Sequence, residues 1–411
     1  MNLKALIRRL FYIIIPLYQH LYIKRIQSKK TINVVLFAMN LSMWKCESLY
    51  HLLSKNSRFK VTVIVIPCTD YDLKQQKKDC ENLCLHFKKN NIDYHLGINE
   101  NGNYYNIRKK INPDIIFYPQ PYKTYIPSKF YYTRFLDKLL CYYPYAFWTS
   151  KGVWSYDQAY HNIAWKLFYS TELHKIDAQK YASNKGKNVE IVGYPNADLF
   201  LNQNHFNIWK VQSNRKKRII WAPHFTIFSG GSLCQSNFLW MANFMLELAR
   251  SYSDKIQFAF KPHPRLYTEL CKHKDWGKER TNAYYQQWKT MENTQLESGE
   301  YIDLFMTSDA MIHDSSSFTV EYHYSQKPVM FITNNYEEHL EGKSEFGKLA
   351  MEQHYIGKCQ EDIIQFIENV VLKGNDPMKA GREDFFKQYL LPPNGKTVAQ
   401  NTMDVFIKAF C

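Results

Sequence analysis

The chain has 411 residues, 45% of them apolar and 22% charged, which is enough to build two or three packed domains and excludes a disordered or collagen-like chain. Its formal charge of +15 suits an anionic partner, but the first thirty residues hold Lys4, Arg8, Arg9, Lys24, Arg25, Lys29 and Lys30 and no acid. Nine scattered cysteines in a chain too large to need staples read as reduced thiols in a cytosolic compartment.

Residues 10–18 are apolar without interruption, with Arg8-Arg9 before them and Lys24-Arg25 after. The run is about half of the roughly 20 residues a spanning helix needs, and no cleavage-site pattern follows it. It is expected to form a separate amphipathic segment, residues 1–30, lying in an anionic membrane surface; a helix packed on its own protein is the alternative. From residue 31 short β-branched runs alternate with helical stretches. Strands are expected at 32–37, 61–66, 114–118 and 189–192, with helices near 43–54 and 73–90. Cys80 and Cys84 fall on the second helix as small apolar positions; no second pair stands at metal-site spacing to join them and His86. An Asn-rich stretch, 202–217, reads as an interdomain linker. Further strands are expected at 218–222, 256–260, 310–313 and 329–332.

Continuous apolar strands separated by helices imply parallel sheets covered on both faces. The fold expected is α/β, with two doubly wound, Rossmann-like parallel-sheet domains facing a cleft. Residues 31–200 form the acceptor-side domain and 201–380 the nucleotide-donor domain. A C-terminal helical segment, 381–411, packs back on the first domain.

Functional residues in such a fold gather just after the strands. In the second half three strand ends each bring a histidine: Pro223-His224, Lys261-Pro262-His263-Pro264, and His313-Asp314 followed by Ser315, Ser316 and Ser317. Lysine, imidazole and the N–H groups and hydroxyls at a helix start suit a phosphate-bearing ligand. A helix from Ser315 to about Ser325, with Asp314 or Ser315 capping it, would place Glu321 where it reaches ribose hydroxyls. Neither dinucleotide-binding nor P-loop glycine patterns occur. Asp70-Tyr71-Asp72 is too common a pattern to indicate a metal, and no metal ligands are assigned.

Gly193-Tyr194-Pro195-Asn196, Ile220-Trp221-Ala222-Pro223-His224, Lys261-Pro262-His263-Pro264, the stretch Ser308 to Ser317 and Lys327-Pro328-Val329 occur in that order. Together they resemble the CDP-glycerol glycerophosphotransferase family of teichoic-acid and capsule enzymes, within the GT-B superfamily. The resemblance implies a transferase that moves glycerophosphate, or a related polyol phosphate, from a CDP-activated donor to a hydroxyl of a membrane-linked glycan. No further cofactor is required. The donor would be held by His224, Lys261, His263, His313, Asp314, Ser315, Ser316, Ser317 and Glu321, with His263 also stabilising charge during transfer. The family's W-H-G-T histidine is missing: Trp148 is followed by Thr149, so Asp157 and His161 are the substitutes for the base. The expected location is the cytoplasmic face of the cell membrane, with the oligomeric state, homo-oligomer included, left open. A GT-B glycosyltransferase using a nucleotide sugar is the first alternative. A non-catalytic basic protein binding membrane or nucleic acid is the second. Nucleic acid is not expected as a partner, because clustered cations occur only in the apolar N-terminal segment.

Overall fold

A computed structural model describes residues 3–228, 236–316 and 318–410, with side chains of the N-terminal helix from Leu10 onward. The chain divides into two units: residues Met1–Leu199 with Tyr389–Cys411, and residues Phe200–Gln388. Of the segment expected at 381–411, the first eight residues belong to the second unit and the rest to the first.

The first unit holds β1 (Ile32–Ala38), β2 (Phe59–Val65), β3 (Tyr94–Leu96), β4 (Ile115–Tyr118), β5 (Leu139–Tyr142), β6 (Lys166–Tyr169) and β7 (Val189–Ile191). They form one parallel sheet in the order β3-β2-β1-β4-β5-β6-β7. The second unit holds β8 (Lys217–Ala222), β9 (Ile256–Phe260), β10 (Thr294–Leu296), β11 (Ala310–His313), β12 (Val329–Ile332) and β13 (Tyr355–Gly357), parallel in the order β10-β9-β8-β11-β12-β13. In each sheet the chain winds outward first to one side and then to the other. That leaves a crevice at the carboxyl ends of β1 and β4, and again at those of β8 and β11. Strands buried on both faces explain the unbroken apolar runs: β4, β5, β9, β11 and β12 have no exposed residue.

The N-terminal helix, Leu3–Gln27, is docked on the first unit and is not a separate segment. Ile15, Gln19, Tyr22 and Ile26, spaced by four, three and four residues, are buried. Asp114, fully buried before β4, accepts hydrogen bonds from Tyr22 Oη at 2.9 Å, Lys29 Nζ at 2.5 Å and the Asn33 N–H at 3.0 Å. The opposite face leaves Leu10, Phe11, Ile13, Ile14, Leu17 and Leu21 exposed. Among the described residues no helix is long and apolar enough to cross a membrane.

The Asn-rich stretch at 202–217 follows the boundary between the two units at Leu199 and Phe200 and packs on the second. Trp209 is buried and donates to Thr307 Oγ1, the Lys210 N–H donates to Gln295 Oε1, and His205 contacts Asp303, so it lies along the edge of the second unit. The helix Val398–Phe410 returns to the first unit, where its Val398 and Ala399 N–H groups donate to the Asp198 carboxylate at 2.7 and 3.0 Å. Gly193, with φ +98°, packs beneath this return: a Cβ there would lie 3.0 Å from Val398 Cγ2 and 3.1 Å from the Pro392 backbone. Gly193→Ala is therefore expected to destabilise the protein by roughly 1–3 kcal/mol, read from urea unfolding, because both φ and packing oppose a side chain.

Candidate active site

In the second unit the turns after β8, β9 and β11 meet around one carboxylate. Asp314 is buried, and its two oxygens accept the backbone N–H groups of His224, at 2.6 Å, and Asn237, at 2.5 Å. Asn237 begins the helix Phe238–Ser251 and donates its side-chain amide to the Ile332 carbonyl at the end of β12. Asp314 thus ties the ends of β8 and β11 to a helix start. Burial raises its pKa to about 6, against the pull of those N–H donors.

His263 lies beside this bridge. Its N–H donates to the Pro223 carbonyl at 3.0 Å, and its ring sits 5.1 Å from that of His224 and 4.4 Å from Phe225. The Arg265 N–H donates to His263 Nδ1 at 3.1 Å. In the neutral ring this leaves Nε2 carrying the hydrogen, as a donor to a ligand oxygen. His224 Nδ1 faces Thr226 Oγ1 at 2.9 Å. Burial first, and neighbouring cations second, push the two imidazoles down to about 4 for His224 and about 3 for His263. At neutral pH they are neutral donors. The formal positive charge comes from Lys261, buried and donating to the Gly299 carbonyl at 3.0 Å, and from Arg265 stacked on Phe225. Burial lowers Lys261 to about 8 while Glu297 partly restores it, so the ammonium stays charged at pH 7.

The serine run lies beside these groups in a different form from the one expected. Ser315 is buried, Ser316 is half-buried in a turn, and the helix begins only at Phe318, running to Glu321 before a 3-10 turn, Tyr322–Ser325. Ser317 lies outside the described residues. Glu321 is buried, its oxygens 2.8 and 2.9 Å from the Tyr301 hydroxyl, which makes it a brace for that segment. His313 is also buried and faces inward: Nδ1 lies 3.0 Å from the Ser315 carbonyl and Nε2 3.2 Å from His354 Nε2. It supports the turn from behind.

In the first unit, His161 is fully buried at the carboxyl side of the sheet. Its Nε2 lies 3.0 Å from the hydroxyl of half-buried Tyr122, and its ring stacks on Tyr142 with Trp148 edge-on at 6.4 Å. Burial lowers His161 to about 4. Beside it Trp148 Nε1 is buried without a hydrogen-bond partner among the described residues. Asp157 is engaged elsewhere. It accepts from the Ser183 N–H, Ser183 Oγ and Asn162 Nδ2 at 2.7, 3.0 and 2.8 Å, joining two loops. Asp72 caps the helix Leu73–Lys89, and His86 Nε2 contacts Glu47 at 2.5 Å, away from any thiol partner role. Asn237, Arg265, Phe225 and Tyr122 were not singled out from sequence. Only Arg265, directly after the His263-Pro264 turn, carried a local signal.

Two doubly wound parallel sheets, with cations and N–H donors at the switch point of the second, define a GT-B-like α/β fold. Residues 151–399 match the family described as CDP-glycerol:poly(glycerophosphate) glycerophosphotransferase, and the chain belongs to that family. It is a glycerophosphotransferase-like enzyme. No curated protein matches the chain. Among solved structures it is similar to a variant of the wall teichoic acid polymerase TagF (TM-score 0.62, 12% identity, 100% of this chain and 98% of that one). A structure of TagF soaked with CDPG gives TM-score 0.61 at 12% identity, with the same coverage. The UDP-GlcNAc 2-epimerase from Neisseria meningitidis bound to UDP-GlcNAc gives TM-score 0.54 at 13% identity, over 92% of this chain and 99% of that one.

The buried histidines set the acid limit of the fold. His161, His174 and His354 are held near 4, 4 and 3 by burial, below the ordinary imidazole value near 6.5. Between those limits the unfolded chain binds more protons, so stability is full above about pH 6.5 and falls as pH drops towards 4. Each of the three is expected to cost roughly 1 kcal/mol at pH 5.5 relative to pH 7.5; the urea midpoint at the two pH values checks this.

Proposed function

We propose that the protein transfers glycerophosphate, or a related polyol phosphate, from a CDP-linked donor to a hydroxyl of a membrane-linked glycan in surface-polymer synthesis. The observation that carries this reading is the convergence of Lys261, His224, His263 and the Ser315–Ser316 turn around Asp314. These groups offer charge and N–H donors to a diphosphate, and both oxygens of Asp314 are turned to backbone N–H groups. The acceptor oxygen attacks the β-phosphorus, the bond from that phosphorus to the oxygen bridging the two phosphates breaks, and CMP departs with the electron pair. The acceptor proton goes to a base, for which His161, with the Tyr122 hydroxyl 3.0 Å from its Nε2, is the first unit's candidate. A loose phosphoryl-transfer transition state makes little demand on base strength, which suits an imidazole weakened by burial. Asp157, with its oxygens engaged, is a loop brace on this reading.

Incubation with CDP-glycerol and a polyol-phosphate acceptor is expected to release CMP. His263→Ala is expected to lower turnover at least ~10²-fold by removing one donor to the developing charge. Release of UDP or GDP from nucleotide sugars, with CDP-glycerol inert, would overturn the assignment in favour of a sugar transferase.

The exposed apolar face of the N-terminal helix, flanked by the cations of residues 4–30, supports peripheral binding to an anionic membrane on the cytoplasmic face. Sedimentation with vesicles containing anionic lipid is expected to carry the protein down, and Leu17→Glu with Leu21→Glu to abolish this without loss of helix docking. Equal binding to neutral vesicles would refute the electrostatic part.

A further inference from the structure

Beyond the strand next to the serine turn lies a second group of cation-capable side chains that the donor site as described does not use. Phe331 on β12 packs against three imidazoles, His313 at 5.3 Å, His339 at 4.7 Å and His354 at 6.2 Å between ring centroids. Lys343 follows the helix Tyr336–Glu341, four residues after His339, and is 6% exposed. Lys138, Lys261 and Lys327 donate to protein acceptors. The Lys343 ammonium makes no hydrogen bond or ion pair among the described residues, and His339 Nε2 is buried without a partner among them.

We propose that Lys343 and His339 form a second anion subsite of this unit, separate from the Ser315–Ser316 turn, which takes the phosphate of the transferred group. The assignment of that phosphate rests on the donor reading above; the anion subsite itself rests on the cluster.

A buried ammonium with no counter-ion is costly, and an anion is the partner that removes the cost. Burial alone holds Lys343 down to about 8, with no carboxylate close enough to offset it. Asp376, an acid of the same unit, is committed to Arg382 and to the Tyr355 hydroxyl. Proton counting points the same way. His313 Nδ1 faces the Ser315 carbonyl at 3.0 Å, His354 Nδ1 faces the Ala350 carbonyl at 2.9 Å, and the two Nε2 atoms meet at 3.2 Å. Both ends are acceptors, so three hydrogen bonds need three protons, and two neutral imidazoles supply two. His323, whose Nε2 also faces the Ala350 carbonyl, adds no acceptor for that third proton. Lys343 and Arg382 oppose uptake of the extra charge, and an anion held by Lys343 reverses that opposition. The subsite lies beyond β12, one strand outward from the turn after β11. On this reading the diphosphate lies on the group around the serine turn, and Lys343 adds a further cation on the side of the transferred phosphate.

The test measures binding of CMP, inorganic pyrophosphate and CDP-glycerol by calorimetry, alongside thermal melting, for the full chain and for Lys343→Met, Lys343→Gln and Lys343→Arg. Without ligand, Lys343→Met is expected to melt at or above the wild type, since an unpaired buried charge is gone. It should bind CDP-glycerol and pyrophosphate at least tenfold more weakly and CMP within twofold, with Lys343→Arg retaining most of the affinity and Lys343→Gln reporting should the Met variant not fold. CDP-glycerol bound equally by wild type and the folded neutral variants overturns the subsite and leaves the donor assignment standing. Lys343-dependent pyrophosphate binding with no affinity for CDP-glycerol in the wild type keeps the anion subsite and overturns the donor assignment.

Discussion

The geometry of the donor side depends on one buried carboxylate. A doubly wound sheet opens between the two strands from which the chain leaves in opposite directions, and the backbone there has no ladder to satisfy its N–H groups. In the second unit Asp314 supplies the missing acceptors for both His224 and Asn237. Because the bonds are to backbone, they fix the turn itself and not a side-chain rotamer. His224 is placed by its own N–H, His263 by its N–H on Pro223, and the helix at Phe238 by Asn237. A carboxylate that looks from sequence like a helix cap or a phosphate ligand is the bracket that holds three turns together. Its burial raises the cost of keeping it ionised, and the two N–H donors are what make ionisation tolerable.

Much of this architecture is legible in the sequence because buried parallel strands leave a strong mark. Val34–Ala38, Ile256–Phe260 and Ala310–His313 are short apolar runs ended by polar turns, and each is a central strand. What escaped reading was short or aromatic. Tyr94–Leu96, Thr294–Leu296 and Tyr355–Gly357 are three-residue edge or near-edge strands, too brief for any periodicity. Leu139–Tyr142 and Lys166–Tyr169 sit in a Tyr-rich stretch whose composition fits a strand or a core helix equally. The stretch at 202–217 does follow the boundary between the units, but its packing escaped reading: one buried residue, Trp209, and a few side-chain acceptors pin a polar segment to the second unit.

For the site the division is between residue type and partner. Histidines and a lysine at three strand ends point to an anion whatever their exact contacts. Which of them faces outward is decided at long range. His313 is turned inward by His354, forty-one residues later; Glu321 is taken by Tyr301, twenty residues earlier; and Asp157 is taken by Ser183. Local spacing carries no information about such choices. The loss of the family histidine after Trp148 is legible, whereas the approach of Tyr122 to His161 depends on two loops that only the folded sheet brings together.

The second unit treats its two buried lysines differently, and the contrast separates structure from readiness to bind. Lys261 has a carbonyl within hydrogen-bond distance and feels Glu297, so its charge is partly answered by the protein. Lys343 is 6% exposed and its ammonium is answered by no acceptor among the described residues. Folding does not require a cation at that position, since a neutral side chain of the same length would fill the space at lower cost. A buried charge kept without a partner stores unfavourable solvation energy that is recovered when an anion arrives, so it strengthens binding at the expense of the free protein. The neutral imidazoles beside it add directional N–H donors without adding repulsion. On the proposed function, a diphosphate would be gripped by few formal charges and many oriented dipoles, an arrangement that favours the charge that builds on the phosphates during transfer over the charge they carry at rest.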